Sequence, residues 1–518
     1  MQRRDGKQAA QDGSEKGLLG ISLPAEQGLT LAQGLYAGIR EAIVSGRITP
    51  GSRLPASRAL AEDMDMARGT IVEAYDQLAL EGYVHTVRGS GTFVDEIPER
   101  FLHTSESTSP KLSALFTPTI AERASSQPPR MVDLAQPAVP RPFQPGLPPL
   151  DGFPRHILAR LWSEAVRSLS IDDLAYGDPG GYLSLRMAIA SYLRTARAVQ
   201  CTPEQVIVTN GAQHALGLAA HVLLDGGEPI WVENPGYRGA KAAFVKAGLR
   251  VVPVSMDGDG ISVTRGRELA PDARLVYVTP SHQYPTGITT SATRRLELIE
   301  WARQSNAWIL EDDYDSEYRY DGAPLPSLHH LDPDGRVVYC GSFSKVLAPG
   351  LRIGYLVVPE FLIDAFRRVR SADDHQSSII IQIVLARFIE RGHYGRHLRR
   401  QRKLGLQRRN VLLEAFRKRL PHFTLEGTGG GLHALVRFPL RTDDAELGLR
   451  AADAGISLSP LSAYDARDEP ERGLVLGYAS FPDDIIRQAV KALASILPDD
   501  LPAHGQAQRA DIHEASAG

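Results

Sequence analysis

The 518-residue sequence predicts a multidomain fold: an N-terminal winged helix-turn-helix, then an α/β domain with a mainly parallel sheet and a small C-terminal α+β subdomain. Three observations predict it. Residues 29–95 carry three helical patterns followed by two alternating runs around a glycine-rich turn. Residues 96–154 are dense in proline, and residues 155–500 alternate short apolar runs with helical segments. The length exceeds that of one typical core, so several folded units are expected.

Composition narrows the setting. Apolar residues at 43% and charged residues at 23% are ordinary for a water-soluble globular chain. No apolar run reaches the length of a membrane span, and MQRRDGKQAAQDGSEKG lacks the apolar centre of a signal peptide. A cytoplasmic protein without a membrane partner is therefore expected. Cys201 and Cys340 lie far apart without metal-ligand spacing, so they read as reduced thiols and no metal is expected. A net charge of −3 points to no nucleic-acid partner, so a DNA-binding claim has to come from local geometry.

Residues 1–28 have no periodicity and are expected to be disordered. Leu31, Leu35, Ile39, Ile43 and Val44 then recur at helical spacing, and Gly46 stops that helix. Ser57 is the expected cap of a short helix from Arg58 to Met64, because its hydroxyl can take an orphan amide. After the break DMA, a third helix carries Ile71, Val72, Tyr75, Leu78 and Leu80 as far as Gly82. YVHTVRGSGTFV reads as a β-hairpin turning at residues 88–91.

In such a fold the N-terminal end of the third helix enters the major groove. That assigns Arg68 to a guanine edge or phosphate and Thr70 to a phosphate; Arg58 lies beside the backbone and Arg88 at the wing tip, near the minor groove. Six arginines face seven acids over residues 31–94, so a purely structural three-helix module also stays open. PGSRLPASRALAEDMDMARGTIVEAYDQLALEGYVHTVRGSGTFV resembles the GntR-type winged helix over nearly its whole length. The resemblance implies contact with double-stranded DNA through Arg58, Arg68, Thr70 and Arg88.

Twelve of the 35 prolines fall between Pro98 and Pro154, which predicts an extended, semi-rigid linker over residues 96–154. Beyond it, strands are expected at Val206–Thr209, Ile230–Glu233, Arg250–Val254, Leu275–Thr279, Trp308–Glu311, Val337–Cys340 and Ile353–Val358. They are apolar on both faces, as in a parallel sheet covered by helices. Ligands bind such sheets at the carboxyl ends of the strands.

The residues following those strands carry chemistry. Asn210-Gly211-Ala212-Gln213 opens a helix, a turn suited to a phosphate. Tyr237 offers a flat ring, and Asp312-Asp313-Tyr314-Asp315 ends a buried strand in polar groups. In RVVYCGSFSKVLAPGLRIGYLVV, Lys345 sits in a short loop between two apolar runs. Two readings fit this lysine: a surface side chain lying along apolar neighbours, or a desolvated amine that forms a Schiff base with an aldehyde cofactor. A carboxylate for a pyridine nitrogen, a phenol for a ring oxygen, a stacking ring and a phosphate turn together fit pyridoxal 5′-phosphate.

SFSKVLAPGLRIGY resembles the Schiff-base segment of class I/II aminotransferases of fold type I, and the similarity extends over roughly residues 130–495. The resemblance places the aldimine on Lys345, the pyridine nitrogen at Asp312, the ring oxygen at Tyr314 and the stacking ring at Tyr237. Ala212, Gln213, Ser342, Ser344 and Arg352 fall where that family binds phosphate. Tyr176, in AYGDPGGYLSLR, is similar to the tyrosine that reaches a neighbouring subunit's phosphate, which implies a homodimer. Two positions depart from the family. Tyr284 replaces the usual asparagine of its loop, and Ser480 stands where the substrate-carboxylate arginine is expected.

The arginine-rich stretch 387–419 fits a solvated helix face, with DNA contact as the alternative. Residues 501–518 are expected to form a disordered tail. The order winged helix, linker, aminotransferase-like domain resembles the MocR-type transcription regulators. That resemblance implies a regulator sensing pyridoxal phosphate, an amino compound, or both. The alternative is an active class I/II aminotransferase with an appended DNA-binding module.

Overall fold

The computed structural model describes residues 20–21, 29–96, 139–322 and 326–498, and the chain divides into two compact units, Met1–Thr119 and Ile120–Gly518. The expectations for residues 1–19, 22–28, 97–138 and 499–518 lie outside the described residues.

In the first unit, α1 (Leu31–Val44) starts at Thr30, whose hydroxyl accepts the Gln33 amide while the Gln33 side chain takes the Thr30 amide. α2 (Ser57–Asp63) and α3 (Arg68–Leu80) follow, then β1 (Val84–Val87) pairs antiparallel with β2 (Gly91–Val94). Leu35, Ile39, Ile43, Ile71 and Leu78 of the apolar stripes read from the sequence form the shared core together with Leu60, whereas Leu31, Val72 and Leu80 are exposed. Ser57 is not the cap: Ala56 holds that position without a side-chain bond. Ser57 already lies inside the helix, so its hydroxyl cannot reach forward to an orphan amide, and it accepts from Arg68 Nε at 3.4 Å instead.

The second unit is built on an eight-stranded sheet. Its strands are β3 (Val206–Thr209), β4 (Pro229–Asn234), β5 (Arg250–Asp257), β6 (Gly260–Ile261), β7 (Leu275–Val278), β8 (Trp308–Asp313), β9 (Val337–Ser342) and β10 (Gly354–Val357). The order is β3-β10-β9-β8-β7-β4-β5-β6. Pairs among β9, β8, β7, β4 and β5 are parallel, whereas β10 runs antiparallel to both β9 and β3. All seven strands expected from the sequence are present. β6, two residues long, is too short to leave an alternation signal.

Helices cover both faces, and the strand residues Val206, Ile230, Leu275, Ile309 and Val338 are buried completely. A smaller antiparallel sheet, β11 (His433–Phe438), β12 (Ser459–Pro460) and β13 (Arg472–Gly477), packs with its helices around a separate core.

The linker expectation fails at its C-terminal end. From residue 139 the chain packs into the second unit: Phe143 is 1% exposed and its carbonyl accepts the Gly477 amide at 2.8 Å. The prolines here shape a fixed path, because Pro142, Phe143, Leu147 and Pro149 all have carbonyls bound by the second unit.

Candidate functional site

The ends of β8 and β9 lie side by side and in parallel, which brings together the polar residues that follow them. Asp312 is 4% exposed; its Oδ2 accepts the Tyr277 hydroxyl at 2.8 Å, and its Oδ1 has no partner among the described residues. Burial, with Asp313 nearby, pushes its carboxyl up to about 7 against the Tyr277 hydrogen bond and Lys345. Lys345 Nζ donates to the Gly146 carbonyl at 2.9 Å. Burial holds this amine below its ordinary value despite the Asp315 and Asp312 carboxylates, and the Arg352 charge adds to the depression.

The Tyr314 hydroxyl donates to the His282 carbonyl at 2.8 Å and lies 3.3 Å from His282 Nδ1. It would exchange that carbonyl for a ligand oxygen. Tyr237 is half-buried at the start of a helix, with its ring edge-on to Tyr284 at 6.0 Å. Tyr284, at the departure from the family loop, bonds through its hydroxyl to that of Tyr464 at 3.0 Å and meets the Tyr314 ring at 6.1 Å. It forms an aromatic wall rather than a polar contact.

The turn at residues 210–213 opens a helix through a glycine. Gly211, at φ +82°, caps the helix Ala212–Leu223 without a side-chain bond, so the first amides of that helix stay available. A Cβ on Gly211 would come within 3.4 Å of the Arg352 guanidinium, which also donates to the Asn210 carbonyl at 3.2 Å. Ser342 Oγ accepts the Ser344 amide at 3.1 Å. The Gln213 side chain is tied to the Gly239 carbonyl at 2.8 Å, leaving its backbone amide for an anion.

Tyr176 is not brought to this group within one chain. It is 88% exposed, with its ring against His375 at 5.1 Å. In the first unit Arg58, Arg68 and Arg88 are exposed and Thr70 is half-buried, with Arg68 at the first position of α3.

Several residues of the site have partners that the sequence did not assign, although Asp313 and Asp315 belong to the polar strand end singled out there. Tyr277 lies within an apolar strand and reads as core. His282, Asp315 and His433 are buried together; His282 lies 3.0 Å from Asp315, and its Nε2 is 3.0 Å from the Gly427 carbonyl. Burial alone would push the His282 imidazole down, but Asp315 and the Gly427 carbonyl outweigh it and raise it. His282 and Asp315 are thus partnered to each other and to the surrounding backbone. Arg197 Nε donates to Asp313 Oδ2 at 2.7 Å, and Asp313 also takes the Tyr339 hydroxyl. Isolated histidines and arginines give no spacing from which such pairs could be read. Of the arginines in 387–419, Arg391 is exposed and pairs with Glu164, whereas buried Arg408 pairs with Asp151 and half-buried Arg409 with Asp321, so these two brace the unit rather than form part of a solvated face.

Residues 31–94 match the family "Bacterial regulatory proteins, gntR family", and residues 152–493 match "Aminotransferase class I and II". The chain is 38% identical to the probable rhizopine catabolism regulatory protein MocR of Rhizobium meliloti, over 89% of this chain and 92% of that protein. It is 33% identical to the pyridoxine biosynthesis transcriptional regulator PdxR of Corynebacterium glutamicum, over 90% and 96%. Among solved structures, the α-aminoadipate aminotransferase LysN of Thermus thermophilus, complexed with N-(5′-phosphopyridoxyl)-L-leucine, superposes with a TM-score of 0.67. It is 26% identical, and the match covers 73% of this chain and 97% of that one.

Proposed function

We propose a function for a chain that belongs to the MocR-type regulators, gntR-family proteins with an aminotransferase class I and II domain. It is a DNA-binding transcription regulator whose second unit senses pyridoxal phosphate, alone or with an amino compound, at Lys345. One observation carries this reading. A buried carboxylate, Asp312, with one oxygen unpartnered among the described residues, lies at the carboxyl end of one strand, and a lysine amine depressed by burial follows its parallel neighbour.

Pyridoxal phosphate is the cofactor that the fold implies, and when bound it supplies an aldehyde open to amines and an electron-withdrawing ring. The residues present fit it. Asp312 Oδ1 lacks a donor, and a protonated pyridine nitrogen is one. The helix start at Ala212 and Gln213, with Ser342, Ser344 and Arg352, would hold the phosphate, and the φ of +82° at Gly211 favours glycine at that turn. Tyr237 would cover the ring face and Tyr314 would take the ring oxygen.

Tyr176, exposed in one chain, would complete the phosphate site of a second copy in a homodimer. The first unit would read double-stranded DNA through Arg68 and Thr70 at α3, Arg58 at α2 and Arg88 in the wing. No helix among the described residues is long and apolar enough to cross a membrane, and a DNA-bound role fits the cytoplasm.

A regulator is favoured over a metabolic transaminase because Ser480 presents a hydroxyl, bonded to the Leu147 carbonyl at 3.0 Å, where a carboxylate-clamping arginine is expected. Two measurements test the reading. The chain should retard DNA from upstream of its own gene, with an affinity that changes on adding pyridoxal phosphate. No retarded band with or without cofactor would sink the proposal. The cofactor should also give a visible absorption band that Lys345→Ala abolishes; a band that survived would mean another lysine binds it.

A further inference from the structure

The contact between Lys345 and Gly146 joins the cofactor lysine to the segment that leads to the DNA-reading unit. Residues 142–151 cross the second unit as a strap, and N-terminally the same chain continues through residues 97–138 to the winged helix. Five strap carbonyls are held. The Ser457 amide binds Pro142 and the Gly477 amide binds Phe143, each at 2.8 Å. Lys345 Nζ binds Gly146 at 2.9 Å, Ser480 Oγ binds Leu147 at 3.0 Å, and Gln401 Nε2 binds Pro149 at 3.3 Å. Only one of these donors is a group that an aldehyde can consume.

Gly146 is shaped for this contact. Its φ of +80° favours glycine, and a Cβ there would stand 2.8 Å from Lys345 Nζ. The strap backbone therefore lies directly on the amine, with no side chain between them.

We propose that Lys345 fastens the strap through the Gly146 carbonyl while its amine is free, and releases it when that nitrogen is bonded to an aldehyde. The chemistry requires a change of donors. A protonated lysine nitrogen carries three hydrogens. On condensation two of them leave with the aldehyde oxygen as one water, a C=N bond forms, and the nitrogen keeps one hydrogen with its positive charge. That hydrogen lies in the plane of the new double bond, so the donor no longer rotates freely toward Gly146. Occupancy of the site is thereby passed to the chain segment that tethers the DNA reader, a local change biasing a distant element.

The inference rests on Lys345 being the cofactor lysine, and the test separates the two. Hydrogen exchange of peptides covering residues 142–151 is measured on the full chain in three states: without ligand, with pyridoxal phosphate, and with pyridoxine 5′-phosphate. The last has the same ring and phosphate but an alcohol in place of the aldehyde. Visible absorption is recorded alongside. Exchange of the strap should rise on the order of tenfold with pyridoxal phosphate, the effect of losing one charge-assisted hydrogen bond. It should stay unchanged with pyridoxine phosphate.

Lys345→Ala should show the fast rate without any ligand. A visible band with unchanged exchange would overturn the proposal, as would equal acceleration by both ligands, or a Lys345→Ala strap as protected as the wild type. If the wild type forms no visible band, the assignment of Lys345 itself fails.

Discussion

Tyr277 donates its hydroxyl to Asp312 Oδ2 at 2.8 Å, so one oxygen of this buried carboxylate is satisfied while Oδ1 is left without a partner among the described residues. Tyr277 enters from the neighbouring strand β7, which runs parallel to β8. The pair fixes which edge of the carboxylate faces the site.

That arrangement makes stability depend on pH in the cofactor-free protein. Asp312 titrates near 3.8 in an unfolded chain and at about 7 here, because burial penalises the charged form. Its folded-state value is raised, so its stabilising contribution is complete below about pH 4 and is lost as pH rises through about 7. Asp312→Asn cannot ionise. At pH 8 the cofactor-free variant should therefore be more stable than the wild type by a few kcal/mol at most, since a tenfold change in proton affinity is worth about 1.4 kcal/mol. The gap should narrow towards about pH 5.5. Urea denaturation at both pH values checks this; a gap that does not narrow would remove Asp312 as the titrating group.

Arg68 and Arg88 are exposed and no acid is paired with either among the described residues. Replacing each with Ala should leave thermal stability unchanged and weaken DNA binding. Loss of a phosphate contact lowers the slope of log affinity against log salt by about 0.9, whereas loss of a base contact costs about 1–3 kcal/mol on the cognate sequence only. Anisotropy titrations at several salt concentrations, on cognate and scrambled DNA, distinguish the two. Arg68 is expected to behave as the base reader and Arg88 as the weaker contact.

Tyr176 gives a test of shared sites. If it completes the site of a second copy, Tyr176→Ala and Lys345→Ala chains each fail to bind cofactor tightly by themselves. Mixed and refolded together, they should regain cofactor binding in about one site per mixed dimer, because one of the two sites then has both residues intact. Absorption titration of the mixture reads this directly, and no recovery would argue that Tyr176 serves its own chain or none.

Arg197 and Asp313 form an ion pair with both side chains almost wholly buried, and the Tyr339 hydroxyl completes it. Arg197→Ala would leave Asp313 as an uncompensated charge in the interior. The expected loss is roughly 3–5 kcal/mol of unfolding free energy, read by denaturant titration of the full chain. A loss under about 1 kcal/mol would mean that the pair adds little to stability.

The sequence by itself determined the elements and the positions that matter. Helical spacing of Leu35, Ile39 and Ile43 and the doubly apolar runs of seven strands mark burial along one element at a time, so they are legible locally. It also placed Asp312, Tyr314 and Lys345 at or just after the carboxyl ends of strands, where parallel sheets expose their functional groups. The tertiary structure alone decided which groups meet. It turned β10 antiparallel, set Tyr277 on Asp312 across 35 positions, and laid the Gly146 carbonyl on Lys345 across 199. A backbone carbonyl has no residue type to betray it, and a contact spanning 199 positions depends on the path of the whole chain. The strap over Lys345 could therefore be found only once that path was known.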